Sequence, residues 1–261
     1  VEHFLMATLV RVNSPRPGIA VLTLDRPERR NALSIALLDA LVRELESLEA
    51  SKTARVVVLH GAGPVFSAGL DLSEAADSSL VEASARGVAA ALSALRHSPL
   101  ISIAAVHGGA YAGGAGLMAA CDMAVASADT TIGFPEARRG LLPALIAEVL
   151  RDKVRAGDLS ELFLVGEPID AARAREIGLV QRVVPADLLV DEAMAMAAGI
   201  LAGGPQTIAN TKALLRRTYE WEGPCAEPTS PLAEHLAARE SPEAIEGLRA
   251  FLEKRPPRWT H

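Results

Sequence analysis

Two apolar runs, "RVVVLHG" (Arg55–Gly61) and "LISIAAVHG" (Leu100–Gly108), constrain the fold more than any other feature of the chain. Each is continuous rather than alternating, so each reads as a strand buried on both faces. "GIAVLTLD" (Gly18–Asp25) is a further β-rich run. After it, Leu33, Leu37, Leu38, Leu41, Leu45 and Leu48 recur at helical spacing,. A second helix is expected from about Asp77 to His97, and "DMAVASA" and "TTIGF" read as two more short strands. Helices dominate from Leu141, interrupted by "GLVQRVVP" (Gly178–Pro185). Strands alternating with helices imply an α/β core with parallel pairing. From about Asp187 the pattern is almost purely helical. The break at "AGGPQ" (Ala202–Gln206) sets an expected boundary between a core at 1–202 and a helical segment at 203–261.

A chain of 261 residues can bury a substantial core,. Aromatics make up 3% of it, too few for an aromatic cage or a base-stacking platform,. The net charge of −6 gives no global attraction to nucleic acid or an anionic membrane,. Cys121 and Cys225 have no partners at metal spacing, so neither a disulfide scaffold nor a metal site is expected, and Cys121 reads as a buried thiol,. No run of about 18 apolar residues occurs, and "VEHFLMATLV" lacks the pattern of a signal peptide,. A soluble, cytoplasmic protein is expected.

Two loops share a design. "FSAGLD" (Phe66–Asp71) and "GAYAGGAG" (Gly109–Gly116) each leave a buried strand, turn small and glycine-rich, and enter a helix. Small residues admit a close backbone or ligand. The N–H groups at a helix start lack intrahelical partners. One such N–H from each loop, converging on one point, would make an oxyanion hole. A phosphate-binding reading is weaker, because there is no Walker lysine and no G-x-G-x-x-G in a dinucleotide-binding context.

In order along the chain stand "RRNALS", "FSAGLDL", "AAVHGGAYAGGAGLMAACD", "GFPEARRGLLP", "GEPIDAARAREIGLVQRVVP" and "FLEKRPPRW". Together these blocks, which span nearly the whole chain, resemble the enoyl-CoA hydratase/isomerase (crotonase) superfamily. The resemblance implies a spiral of ββα units with a C-terminal helical segment for trimerisation, assembled as a homotrimer or a dimer of trimers. It implies an acyl-CoA thioester substrate, with coenzyme A entering only as part of that substrate and no permanent cofactor. The thioester carbonyl would accept from the backbone N–H groups of Ala68 and Gly113. The groove for CoA would be lined by Arg29, Ala32, Ser67, Ala68, Leu70, Asp71, Tyr111, Gly113, Gly114 and Glu136. Arg29 or Arg30 would meet CoA phosphates as a local positive patch.

Hydration of an enoyl thioester needs a base for water and an acid for the α-carbon. Typical hydratases of the family use two glutamates. Glu136 matches the second, but Gly116 stands where the first is expected. Three readings follow. Glu136 alone could remove and return a proton, as a 3,2-enoyl-CoA isomerase requires. It could serve both transfers in a hydratase, including one for a methylglutaconyl-type substrate, whose carboxylate Arg138 or Arg139 could meet; a hydratase-like enzyme is the leading expectation. Or Glu74, Glu82, Arg86, Glu148 or Tyr111 could substitute for the missing group. Asp122 is expected to anchor a turn. Two other classes compete. A thioester hydrolase would draw on Ser67 with His97 or His107, although no G-x-S-x-G elbow occurs. An RNA-binding or scaffold protein would use the basic stripe "TKALLRR" (Thr211–Arg217).

Overall fold

The computed structural model describes residues 8–219 and 242–260, so Cys225 lies outside the described residues. The chain divides into two compact units, Val1–Ala197 and Ala198–His261. The division falls inside a helix, Leu189–Leu201, rather than at the glycine break that follows it.

A six-stranded sheet organises the first unit. In spatial order it contains β1 (Val10–Arg16), β2 (Gly18–Leu24), β3 (Ala54–Gly61), β4 (Ile101–Val106), β6 (Met123–Ser127) and β9 (Arg182–Val184). All neighbours from β2 onward are parallel, as the apolar runs require. β1 pairs antiparallel with β2 and was not legible in the sequence. Only its first residue is buried, so it carries no apolar pattern. A smaller sheet holds β5 (Gly109–Tyr111), β7 (Thr131–Gly133) and β8 (Ile169–Asp170), with β5 and β7 parallel and β7 and β8 antiparallel. Single bridges join Ser67 to Ala110 and Leu33 to Leu70. The chain therefore winds as a spiral. Each turn lays a strand in the large sheet, touches the small layer, and returns through a helix.

The first return is α1 (Ile35–Ser51), which buries Leu37, Leu38, Leu41, Leu45 and Leu48 as the leucine spacing predicts. Its start is capped twice. The Ser34 hydroxyl accepts from Leu37 N at 3.3 Å, and Glu74 Oε2 accepts from Ile35 N at 2.8 Å,. Loop 62–71 then leads through α2 (Leu72–Ala75) to α3 (Val81–His97). The latter starts later than Asp77 because Asp77 Oδ1 accepts from both Ser79 N and Ser79 Oγ, closing a local turn that competes with helix,. The third return is α4 (Gly113–Ala120), in which every residue is buried, as a helix apolar on all sides must be,. It is followed by α5 (Ala144–Leu150).

One side chain ties the first two turns of the spiral. Asn31 is fully buried, and its Nδ2 reaches Ala62 O at 2.8 Å, Val65 O at 2.9 Å and Phe66 O at 3.1 Å. Its Oδ1 accepts from Arg26 N at 3.0 Å.

The second unit contains the helices Pro205–Tyr219 and Pro242–Leu252. Glu243 caps the first of these, accepting from Gln206 N at 2.7 Å and Thr207 N at 2.8 Å. Trp259 Nε1 donates to Ala202 O at 3.0 Å. Lys212 is buried, so "TKALLRR" is not the continuous exposed basic stripe that RNA binding would need. Among the described residues no helix is long and apolar enough to cross a membrane, and no group of three or more His, Cys, Asp or Glu is placed to hold a metal ion.

Asn31→Gly tests the tie. Glycine accepts the left-handed backbone of this position (φ 51°) but removes the amide and orphans buried carbonyls,. The expected loss is about 2–4 kcal/mol of unfolding free energy, read by urea denaturation; a loss under about 0.5 kcal/mol would show that the carbonyls find other donors.

Candidate active site

The site is assembled by backbone hydrogen bonds between three segments that are remote in sequence. Ser67 N donates to Gly109 O at 3.1 Å, and Tyr111 N donates to Ser67 O at 3.0 Å. Ala112 N donates to Gly133 O at 2.9 Å. Residues just past these contacts therefore emerge at one end of the small sheet: Ala68 after Ser67, Gly113 after Ala112, and Glu136 three residues after Gly133. Two glycines make the approach possible. A Cβ on Gly69 (φ +88°) would stand 2.6 Å from Tyr111 O, and one on Gly114 would stand 2.7 Å from Ser67 O. Tyr111 itself packs its ring over Gly109 and Gly133.

Gly113 is the first residue of α4, and its N–H has no acceptor among the described residues. It sits at the positive end of a buried helix, which favours a developing anion. Ala112, just before it, is held at φ 49°, ψ −124°, a conformation few non-glycine residues adopt,. Strain of this kind costs about 1–3 kcal/mol and collects at functional sites. The other expected donor is not free. Ala68 N donates to Arg30 O at 2.9 Å. The sequence leads one to expect open donors at Ala68 and Gly113; the structure engages Ala68 and leaves open Gly113 and, two residues past Ala68, the N–H of Leu70, which has no acceptor among the described residues.

Glu136 is 7% exposed, and its Oε2 is buried with no hydrogen-bond partner. Burial raises its pKa; its own backbone N–H and the nearby Arg139 guanidinium draw it part of the way back,. Arg138 does not pair with it, being held by Val165 O and Glu167 Oε1, each at 2.9 Å. Arg139 is exposed. The atoms nearest Gly116 are apolar. A Cβ built there would meet Ile146 Cγ1 at 3.3 Å and Leu92 Cδ2 at 3.5 Å. The position expected to carry an acid is thus set in an apolar wall.

Four of the five residues considered as substitutes, all but Tyr111, are occupied elsewhere. Glu74 caps α1. Glu82 and Arg86 pair with each other on an exposed face, and Glu148 pairs with Arg151. The hydrolase set is not assembled either. Ser67 is fully buried, and its hydroxyl donates to Asn31 O at 2.8 Å. His107 Nε2 bonds Gly63 O at 2.8 Å, and His97 is exposed against Ser93. Asp122 accepts from Ser102 N and Oγ, an anchoring role.

Around the expected CoA groove, Arg29 and Arg30 are exposed, and neither side chain has a partner among the described residues. Ala32 and Leu70 are placed by local bonds: Ala32 O accepts from Arg26 Nη1 at 3.2 Å, and Leu70 bridges to Leu33. Asp71 does not present its carboxylate to a groove. It accepts from Ser73 Oγ and from Arg26 Nη1, both at 2.5 Å. The bond from Ser73, more than the Arg26 charge, brings its pKa down to about 2. Sequence reasoning passed over Arg26, Asn31, Leu92 and Ile146. Asn31 lies inside the "RRNALS" block and Arg26 three residues before it, but nothing local reveals their partners; Leu92 and Ile146 look like ordinary core residues.

Known proteins resemble this chain along nearly its whole length. A family model described as enoyl-CoA hydratase/isomerase matches residues 15–261. A Thermus thermophilus protein provisionally named an enoyl-CoA hydratase is 37% identical over 249 residues, covering 92% of this chain and 97% of the relative. Mevalonyl-coenzyme A hydratase of Aspergillus fumigatus is 34% identical, covering 95% of this chain and 93% of that one. The crystal structure of an enoyl-CoA hydratase from Mycobacterium smegmatis superposes with a TM-score of 0.88 at 34% identity, covering 97% of this chain and 99% of that one.

Burial of Glu136 has a consequence for stability. Its folded pKa lies above its unfolded value, so ionisation opposes folding once the pH exceeds the unfolded pKa,. Glu136→Gln is expected to raise the thermal midpoint at pH 7 and to leave it unchanged near pH 4, below both pKa values. Equal midpoints at both pH values would mean that the carboxylate is well solvated.

Proposed function

Because the chain belongs to the enoyl-CoA hydratase/isomerase family, we propose that it processes acyl-CoA thioesters through an enolate, with Glu136 as the one carboxylate that moves protons. The observation that carries this reading is the buried, unpartnered Glu136 Oε2, together with the apolar side chains that line Gly116. In the ionised state Glu136 removes a proton from C2 of a 3-enoyl thioester. The charge passes to the thioester oxygen, where the Gly113 N–H and the unengaged Leu70 N–H of the Phe66–Asp71 loop receive it,. The same carboxyl group returns the proton at C4, giving the conjugated 2-enoyl thioester. One group suffices, and no water is consumed.

Hydration is the second reading, favoured by the names of the relatives. It needs a water held beside Glu136, and a bound water wants two to four polar partners. Leu92 and Ile146 offer none at Gly116. A methylglutaconyl-type substrate would bring its own carboxylate, for which Arg139 is the available cation. We also propose that the C-terminal helices serve a homotrimer or a dimer of trimers.

An assay on 3-hexenoyl-CoA, crotonyl-CoA and 3-methylglutaconyl-CoA separates these readings. Isomerisation predicts growing absorbance of the conjugated thioester from 3-hexenoyl-CoA and little change with crotonyl-CoA. Falling absorbance with the latter two and none gained with the first would replace isomerisation by hydration. Glu136→Gln is expected to lower turnover about 10²–10⁴-fold; unchanged turnover would remove Glu136 from the chemistry.

A further inference from the structure

The Leu70 N–H is open, and the bonds on either side of it show what holds it in place. Leu33 N donates to Gly69 O at 2.8 Å, and Asp71 N donates to Leu33 O at 3.3 Å. These are the two bonds of a parallel bridge, so the N–H of Leu70 itself points away from Leu33,. Leu33 is fully buried and also touches the start of α4, since a Cβ on Gly113 would meet Leu33 Cδ1 at 3.1 Å. One residue thus lies against both donor-bearing residues, its main chain beside Leu70 and its side chain beside Gly113. Arg26 spans this bridge. Its Nη1 donates to Ala32 O at 3.2 Å, just before Leu33, and to Asp71 Oδ2 at 2.5 Å, just after Leu70. The ion pair is enclosed, with side chains 19% and 7% exposed. Arg26 is in turn pinned by Asn31, whose Oδ1 accepts from Arg26 N at 3.0 Å and whose N–H donates to Arg26 O at 2.9 Å.

We propose that Arg26 and Asp71 are positioning residues: their ion pair clamps the Leu33–Leu70 bridge and so fixes the Leu70 N–H relative to the Gly113 N–H. Both act through the main chain. The Asp71 carboxylate has little freedom, because it accepts from Ser73 N at 3.0 Å and Ser73 Oγ at 2.5 Å as well as from Arg26. An enclosed ion pair adds little net stability, since desolvation offsets its attraction. What it adds here is stiffness between two segments 45 residues apart. Backbone donors stabilise an enolate through being held in place beforehand. A displaced Leu70 N–H therefore weakens binding of the enolate more than that of the substrate, and the effect falls on kcat rather than on KM alone. The role in catalysis rests on the acyl-CoA reading given above.

Two measurements decide it. Asp71→Asn keeps an acceptor for Ser73 and removes the charge that Arg26 grips. It is expected to lower kcat for an accepted enoyl-CoA about 10²-fold and to leave KM within about threefold. Arg26→Lys, which keeps the charge, should recover part of the loss seen in Arg26→Gln. The double variant Arg26→Gln/Asp71→Asn should be no slower than the slower single variant, because the two residues act as one unit. Additive losses, or a change confined to KM, would overturn the clamp. The second measurement, amide hydrogen exchange in the free, isotope-labelled protein, needs no substrate. In Asp71→Asn and in Arg26→Gln the Leu33 and Asp71 N–H groups are expected to exchange about tenfold faster than in the wild type, while the Ser67 N–H, bonded to Gly109 O, keeps its rate,. Unchanged exchange at Leu33 in both variants would overturn the clamp, whatever the enzyme acts on. Should Asp71→Asn fail to fold, Arg26→Lys and Arg26→Gln carry both measurements. If the wild type turns over no enoyl-CoA at all, the acyl-CoA reading falls and with it the role in catalysis, while the exchange rates still decide whether the pair holds the bridge.

Discussion

Everything in the site depends on Ser67. Its N–H and carbonyl bond Gly109 and Tyr111 across some forty residues of chain, and its hydroxyl closes on Asn31 O. These three bonds hold the Phe66–Asp71 loop beside the start of α4, where the proposed backbone donors lie. A donor set made of main chain cannot be tuned by choosing another side chain. It can be tuned only by what holds the main chain, here the Asn31 amide and the Ser67 hydroxyl. Gly69 and Gly114 are glycine for the same reason: any side chain there would part the strands that carry the donors.

The second constraint is electrostatic. Glu136 is enclosed with one oxygen unsatisfied, an arrangement that costs stability and has no structural purpose,. Its neighbour Arg138, which could have neutralised it, is turned toward Glu167 and Val165 instead. A carboxylate poised in this way accepts a proton more readily than an exposed one. The side chains nearest Gly116 are apolar, which supports the proposed chemistry of a single carboxyl group.

Much of this was legible in the sequence, but unevenly. The continuous runs of β3 and β4 and the leucine spacing of α1 mark their elements because burial acts on each residue in turn. β1 escaped notice because its neighbours on the sheet edge bury almost none of its side chains. Gly113, Gly116 and Glu136 could be singled out from motif order. That Ala68 is already bonded to Arg30 could not, since a hydrogen bond between main-chain atoms leaves no residue-type signature. The partners of the Asp71 carboxylate were hidden for a related reason: nothing in its own loop shows that Arg26, remote in sequence, pairs with it. The apolar wall of Leu92 and Ile146 was invisible because both residues are unremarkable in their own helices.

The central claim is that Glu136 exchanges a proton with C2 of a thioester whose oxygen is held by the backbone. Incubation of a saturated acyl-CoA, such as butyryl-CoA, in deuterium oxide tests it without requiring any particular product. The account predicts deuterium at C2 by mass spectrometry with the wild-type protein and none above background with Glu136→Gln. Deuterium incorporated equally by both proteins, or by neither under conditions where the ester is bound, would contradict it.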